Sequence, residues 1–271
     1  MLRSLKDLAG YTVNASDGAV GNVVDFLLDD ERWTVRYLVV ETGAFFDQRR
    51  VLISPISFRT ADWATREFHL ALTIDKIQKS PSVDTDKPVS RQHEVDYYRY
   101  YGYPYYWGYS GMWGMGFYPG FLADRKWEEA SSRYEDKAAA SGDAHLRSAK
   151  EVRGYTVQGT DAEVGHIADF VVDDESWTIQ YLAIDTSNMW FGKKVLVAPA
   201  WAREVSWPQR KVLVDLTRET IKSSPPWDTE AAISRQYESS LHEHYGRPKY
   251  WAGKDAPKGP PPLPAAAIHR S

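Results

Sequence analysis

The sequence predicts a mainly β protein: two small β-barrels in tandem, each followed by a short helical appendage. Three observations carry this. Residues 2–107 align without a gap onto residues 146–251, with about 40% of positions identical against roughly 5–6% for unrelated sequence. Within each copy, short β-branched and apolar runs alternate with turn residues. The 271 residues then divide into two units of usual domain size, residues 1–107 and 146–251, with a linker over 108–145 and a tail over 252–271.

The elements follow in order. Tyr11-Thr12-Val13 is a short strand, and Asp17-Gly18 turns the chain. Val20 to Leu28 and Trp33 to Thr42 are two strands around the acidic turn Asp29-Asp30-Glu31-Arg32, which makes a hairpin. Val51 to Ser54 is a strand ended by Pro55, and Phe68 to Leu72 is the last. Thr73 caps a helix over 74–79 that Ser80-Pro81 stops. Ser90 caps a helix of about ten residues that ends at Gly102. The second copy repeats each step, from Tyr155 through Val164–Val172, Trp177–Thr186, Val195–Ala198 and Val212–Leu216 to Thr217, Ser234 and Gly246. Five or six short strands per unit suit a small barrel or sandwich, and closure would remove exposed edges. In the linker, mixed charges from Leu122 to Ala140, with Glu129 four residues before Arg133, predict an exposed helix. The tail is rich in Pro, Ala and Gly, and reads as disordered.

Composition excludes whole classes of function. Cys is absent, so there is no disulfide framework, thiolate metal site or cysteine nucleophile. The net charge is −4, and each unit carries 13 basic and 15 acidic groups. Bulk attraction to nucleic acid is therefore disfavoured, as is simple attraction between the units. No apolar run approaches the roughly 18 residues of a membrane span, and a cytoplasmic location is the expectation.

The recurring string resembles a PRC-barrel domain. It comprises Gly10-Tyr11-x-Val13, Asp17-Gly18-x-Val20-Gly21, Phe26-Leu27-x-Asp29-Asp30-Glu31-x-Trp33 through Val40, and Val51-Leu52-Ile53-Ser54-Pro55. The segment Ser90-Arg91-Gln92-His93-Glu94, with Tyr101-Gly102-Tyr103-Pro104-Tyr105-Tyr106-Trp107, resembles the tail of a bacterial subgroup of that family. The resemblance implies two all-β barrels serving as docking or regulatory modules. It extends to the cytoplasmic part of the photosynthetic reaction centre H subunit and to ribosome maturation factors. Those relatives imply two alternative roles: an RNA- or ribosome-associated factor, or an auxiliary of photosynthetic or membrane electron transfer.

No catalytic constellation, phosphate loop or metal-binding motif is visible, so a non-enzymatic interaction or adaptor protein without cofactor is expected. Asp25, Asp29, Asp30 and Glu31, echoed by Asp169, Asp173, Asp174 and Glu175, admit a divalent cation or a solvated turn beside Arg32 or Arg36. Their spacing lacks the EF-hand pattern and favours the turn. His242 and His244, two residues apart, fall on different helix faces. The recurring Trp33/Trp177, Trp63/Trp207 and Tyr37/Tyr181 suit a packed core better than a ligand pocket.

The aromatic stretch over 97–121 has only Arg99 as a base, which fits protein contact or internal packing better than single-stranded nucleic acid. Tyr97, Tyr101, Tyr105, Tyr106, Trp107 and Trp113 are its candidate interaction surface. The two units are expected to pack as an intramolecular pseudo-dimer, with Arg91, His93, Arg235 and Tyr237 on the tail helices as candidate contacts. A protein partner is expected, of unknown identity.

Overall fold

The computed structural model describes residues 1–43, 49–81, 89–107, 109–123, 144–186, 193–252 and 268–269. The first unit runs β1 (Leu2–Ser4), α1 (Leu5–Leu8), β2 (Thr12–Ala15), β3 (Gly18–Asp29), β4 (Thr34–Thr42), β5 (Arg50–Ile53), a 3-10 turn (Pro55–Ser57), β6 (Phe58–Asp62), β7 (Glu67–Leu70), α2 (Ile74–Gln78), β8 (Val89–Ser90) and α3 (Arg91–Tyr101). After α4 (Gly120–Ala123), the second unit runs β9 (Ala144–Ser148), α5 (Ala149–Val152), β10 (Thr156–Gln158), β11 (Glu163–Asp173), β12 (Ile179–Asp185), β13 (Lys194–Val197), a 3-10 turn (Pro199–Trp201), β14 (Ala202–Ser206), β15 (Lys211–Val214), α6 (Arg218–Ser223) and α7 (Arg235–His244). A last short strand, β16 (Ile268–His269), pairs in parallel with β14. The expected helix around Glu129 and Arg133 lies outside the described residues, as does most of the tail.

The protein is mainly β, with two sheets of matching strand order. The first runs β5-β4-β3-β2-β7-β6 and the second β13-β12-β11-β10-β15-β14. Neither closes into the hydrogen-bonded barrel that the strand count suggested. The end strands β5 and β6 are consecutive in the chain and meet through Pro55, as β13 and β14 meet through Pro199. Each 3-10 turn joins them at a corner, and a Pro there has no N–H to offer a ladder.

Two glycines make the long hairpins possible. A Cβ on Gly21 would lie 2.0 Å from the Glu41 carbonyl oxygen, and one on Gly165 would lie 2.0 Å from that of Asp185. The recurring Val20-Gly21 and Val164-Gly165 thus mark a close backbone approach between β3 and β4, and between β11 and β12.

Strands β6 and β14 were absent from the sequence reading. β6 is Phe-Arg-Thr-Ala-Asp and stays largely outside the core, so no apolar run announces it. Its pairing with β7 creates it.

The first strand of each copy does not join its own sheet. Leu2, Arg3 and Ser4 pair with Asp173, Val172 and Val171 of the second unit. Leu146, Arg147 and Ser148 pair with Asp29, Leu28 and Leu27 of the first. The register is the same in both directions. An isolated bridge joins Thr34 to Thr178, the Val35 N–H donates to the Trp177 carbonyl, and the Ile179 N–H donates to that of Trp33.

Candidate interaction site between the two units

The seam is built from the exchanged strands upward. Ser4 caps α1 by accepting from the Asp7 N–H at 3.2 Å, and its own hydroxyl donates to Asp169 Oδ2 at 2.5 Å. The Lys6 N–H, a helix-start donor with no partner inside the helix, donates to Asp169 Oδ1 at 3.2 Å. Ser148 does the same, accepting from the Glu151 N–H at 3.1 Å and donating to Asp25 at 2.5 Å, while the Lys150 N–H reaches Asp25 at 3.1 Å. Arg3 meets Asp174 at 2.6 Å and Arg147 meets Asp30 at 3.3 Å. The Met1 ammonium also pairs with Asp174.

The acidic clusters read from the sequence are therefore divided among protein partners. Among the described residues, no group of three or more His, Asp or Glu side chains could hold a metal ion. Sequence reasoning missed that Asp25, Asp30, Asp169 and Asp174 grip the other unit, while Asp29 and Asp173 serve their own. The signal was present: Arg3-Ser4 and Arg147-Ser148 recur along with Asp25 and Asp169, and polar positions retained in both copies ask for a shared partner.

Trp33 and Trp177 sit at the hairpin tips with φ of 48° and 59°, a left-handed conformation that few bulky residues adopt. The conformation turns each indole into the opposite unit. Trp33 packs 6.4 Å from Trp207, and Trp177 lies 5.4 Å from Phe58 and 6.0 Å from Phe68, centroid to centroid. These recurring tryptophans, with Tyr37 and Tyr181, are buried as the core reading expected.

Burial of Asp169 opposes its charge and raises its pKa, against hydrogen bonds from Ser4, Phe170 and Lys6 that pull it down. Replacing Asp169 by Ala orphans those donors and is expected to cost about 2–4 kcal/mol in a urea titration. Because the folded pKa is raised, ionising Asp169 erodes stability as pH climbs above the usual 3.8, and the erosion stops once the raised pKa is passed. An Asp169→Asn variant avoids this ionisation, so its deficit against wild type should narrow over that window.

Beside the seam lies a buried ionic cluster centred on Glu94, which α3 delivers to the sheet. Glu94 accepts from Tyr37 at 2.9 Å, Tyr106 at 3.0 Å and Arg91 at 3.0 Å, and pairs with His145 at 2.7 Å. Burial raises the Glu94 pKa, but the charges of Arg91 and His145 outweigh it and the net shift is downward. Burial likewise lowers His145, yet the adjacent Glu94 carboxylate leaves it raised. Asp29 and Arg36, both buried, pair at 2.8 Å, and the Arg36 guanidinium lies 3.7 Å from the Tyr106 ring centroid.

The second unit repeats the centre. Glu238 accepts from Tyr181 at 3.0 Å, Tyr250 at 2.8 Å and Arg235 at 2.9 Å. Gln180 stands where the first unit has Arg36. The tail motif of each copy thus has a physical meaning: its Arg, Glu and Tyr lock the helix onto a barrel tyrosine.

The six aromatic residues taken as a candidate surface are placed inward. Tyr97, Tyr101, Tyr105, Tyr106, Trp107 and Trp113 are all buried. Tyr98 sits among them, ringed by Tyr97, Tyr103, Tyr105, Tyr106 and Trp107. The Trp113 N–H donates to the Ser176 carbonyl at 2.7 Å, so the aromatic segment bridges to the second unit. Arg32 and Arg36 hold its backbone through the carbonyls of Tyr109, Gly111 and Met112. Met115, Phe117 and Phe121 are the large apolar side chains of this segment that remain exposed.

Of the four expected inter-barrel residues, Arg91 meets Glu94 and Tyr106, and Arg235 meets Glu238 and Tyr250. Tyr237 donates to the Pro225 carbonyl in its own unit, and His93 is half-buried. The exchange contacts run instead through residues 1–6, 25–36, 144–150 and 169–179.

Fold and seam together define a duplicated β protein whose halves trade their first strands. Residues 145–221 form a PRC-barrel domain by match to that family. No curated protein matches the chain. No helix among the described residues is long and apolar enough to cross a membrane.

Proposed function

We propose that this chain is a non-enzymatic protein-interaction module, a covalent pseudo-dimer of two PRC-type barrels that presents a fixed surface to a partner. The reciprocal strand exchange is the observation that carries it. Two units that donate a strand to each other have one relative orientation, which is what a scaffold needs and a flexible tandem lacks. The buried carboxylates support the non-enzymatic reading, because Asp25, Asp29, Asp30, Asp169 and Glu94 are all spent on structural partners. The burial of the aromatics from Tyr97 to Trp113 weighs against the RNA-associated alternative, which would need them exposed for stacking.

Affinity capture tests this, comparing wild type with a Met115→Ser, Phe117→Ser, Phe121→Ser triple variant. Retention of a protein by wild type that the variant loses is the expected result. Capture abolished by ribonuclease would move the reading to the RNA alternative, and capture of nothing would overturn it.

A further inference from the structure

The first unit's ionic cluster has one member that the second unit supplies. His145 stands in β9, the strand lent to the first unit, and its Nε2 donates to Glu94 Oε2 of α3 at 2.7 Å. Both side chains are only 1% exposed. The backbone places the imidazole there. Val89 lies opposite Leu146 and Ser90 opposite Ala144, so the β8–β9 register slips and His145 is the residue passed over. Such a slip bends a strand and re-aims one side chain. The Asp30 N–H holds the same residue by donating to the His145 carbonyl at 3.0 Å. Ionisable groups face the pair from each neighbouring element. Arg91 and Tyr98 come from α3, and Arg36 and Tyr37 from β4. Asp29 ends β3, with Asp30, Glu31 and Arg32 in the turn after it. Tyr106 approaches from the segment after α3, 3.4 Å from Nε2, and β9 itself adds Arg147. The buried carboxylates already have arginine partners: Glu94 with Arg91 at 3.0 Å, Asp29 with Arg36 at 2.8 Å and Asp30 with Arg147 at 3.3 Å. Arginine keeps its charge throughout the accessible pH range. The imidazole is therefore the cation of this cluster that can lose its proton near neutrality.

We propose that His145 is a pH-sensitive clasp: its imidazolium ties the first unit's tail helix to the strand lent by the second unit, and loss of the proton loosens α3 together with the β8–β9 pairing. Burial disfavours the imidazolium, and Arg91 opposes it, but the adjacent Glu94 carboxylate, helped by Asp29, leaves the pKa above the ordinary 6.5. A raised folded pKa gives stability that is fully present below the unfolded value and lost as pH rises through the folded one. The loosening is local, because the β3–β9 ladder and the bond from Ser148 to Asp25 do not use the imidazole. The reciprocal exchange is built differently. Met1, which carries no imidazole, stands at the position aligned with His145. The second unit's cluster has His242 on its own helix α7, 3.1 Å from the Tyr181 hydroxyl. Burial lowers that imidazole, so its window lies below 6.5 and not above it. One half of the exchange thus responds to alkaline pH while the other stays constant. The helix that responds carries Tyr97, Tyr98 and Tyr101 of the buried aromatic segment.

The test follows the full chain by NMR across neutral pH, reading the His145 imidazole titration and the hydrogen-exchange protection of the backbone. The imidazole midpoint is expected above its ordinary value. Protection over 89–101 and 144–146, corrected for the intrinsic exchange rate, should fall as pH rises, by about tenfold for each unit by which the midpoint exceeds that value. Protection of the β1–β11 ladder should not follow it. His145→Gln keeps an N–H donor for Glu94 without a titrating proton, and should remove the fall. Flat protection over 89–101 in the wild type would overturn the clasp without recourse to any variant. A midpoint at or below the ordinary value would overturn it too, as would a fall that survives in His145→Gln. Neither readout needs a partner, so the clasp and the interaction reading fail separately.

Discussion

An Arg36→Met variant should lose about 3–5 kcal/mol of stability in chemical denaturation, more than any surface substitution. Met keeps an unbranched apolar stem but removes the guanidinium and its charge. The Asp29 carboxylate would then sit buried without its guanidinium partner, keeping the N–H groups of Glu31 and Arg32 at 3.0 and 3.1 Å. The Met112 carbonyl would lose its 2.6 Å donor, and the Tyr106 and Trp113 rings would lose the cation between them. The pH dependence is a second signature. Burial raises the Asp29 pKa, but Arg36, His145 and Arg91 more than reverse it, leaving the folded value well below the usual 3.8. A depressed folded pKa gives stability that is present above the unfolded value and lost as pH falls through the folded one. Wild type should therefore lose this contribution on acidification below about pH 4, while the variant, whose unpaired carboxylate gains from protonation, should not. The gap between them should close as pH falls.

Replacing Trp33 and Trp177 by Ala should cost about 3–5 kcal/mol at each site. Each indole is buried in the unit opposite to its own, against Trp207 in one case and Phe58 and Phe68 in the other. The loss falls on the seam. Wild type should unfold in a single transition followed by tryptophan fluorescence and circular dichroism alike, since neither sheet is complete without the other unit's strand. The double variant should show two separated transitions. Two transitions in wild type would remove the argument for a rigid seam.

The seam explains why some of the site was legible in the sequence and some was not. The duplication, the long hairpins and the capped helices at Thr73, Thr217 and Ser234 were readable because each is a local pattern. Ser90 shows the limit: it stands at the helix start, yet its side chain makes no capping bond. The Leu-Arg-Ser triplet at the head of each copy was visible as a repeat, but its strand pairs with residues about 170 positions away in one case and 120 in the other. The acidic turn looked like a solvated loop, since Asp in turns is common and only the opposite unit's Ser and Arg reveal its use. The aromatic run from Tyr97 showed its contact area but not its direction, because burial depends on what else reaches the same place.

The sequence by itself determined that there are two units, that they are β-rich, and that the same polar positions matter in both. Those properties follow from composition, turn chemistry and comparison of one copy with the other. Only the tertiary structure decided that the units trade their first strands, that the aromatic segment is a bridge facing inward, and that Glu94 gathers four partners. These depend on contacts between residues far apart in the chain, where chain connectivity sets no distance and packing alone selects the partner.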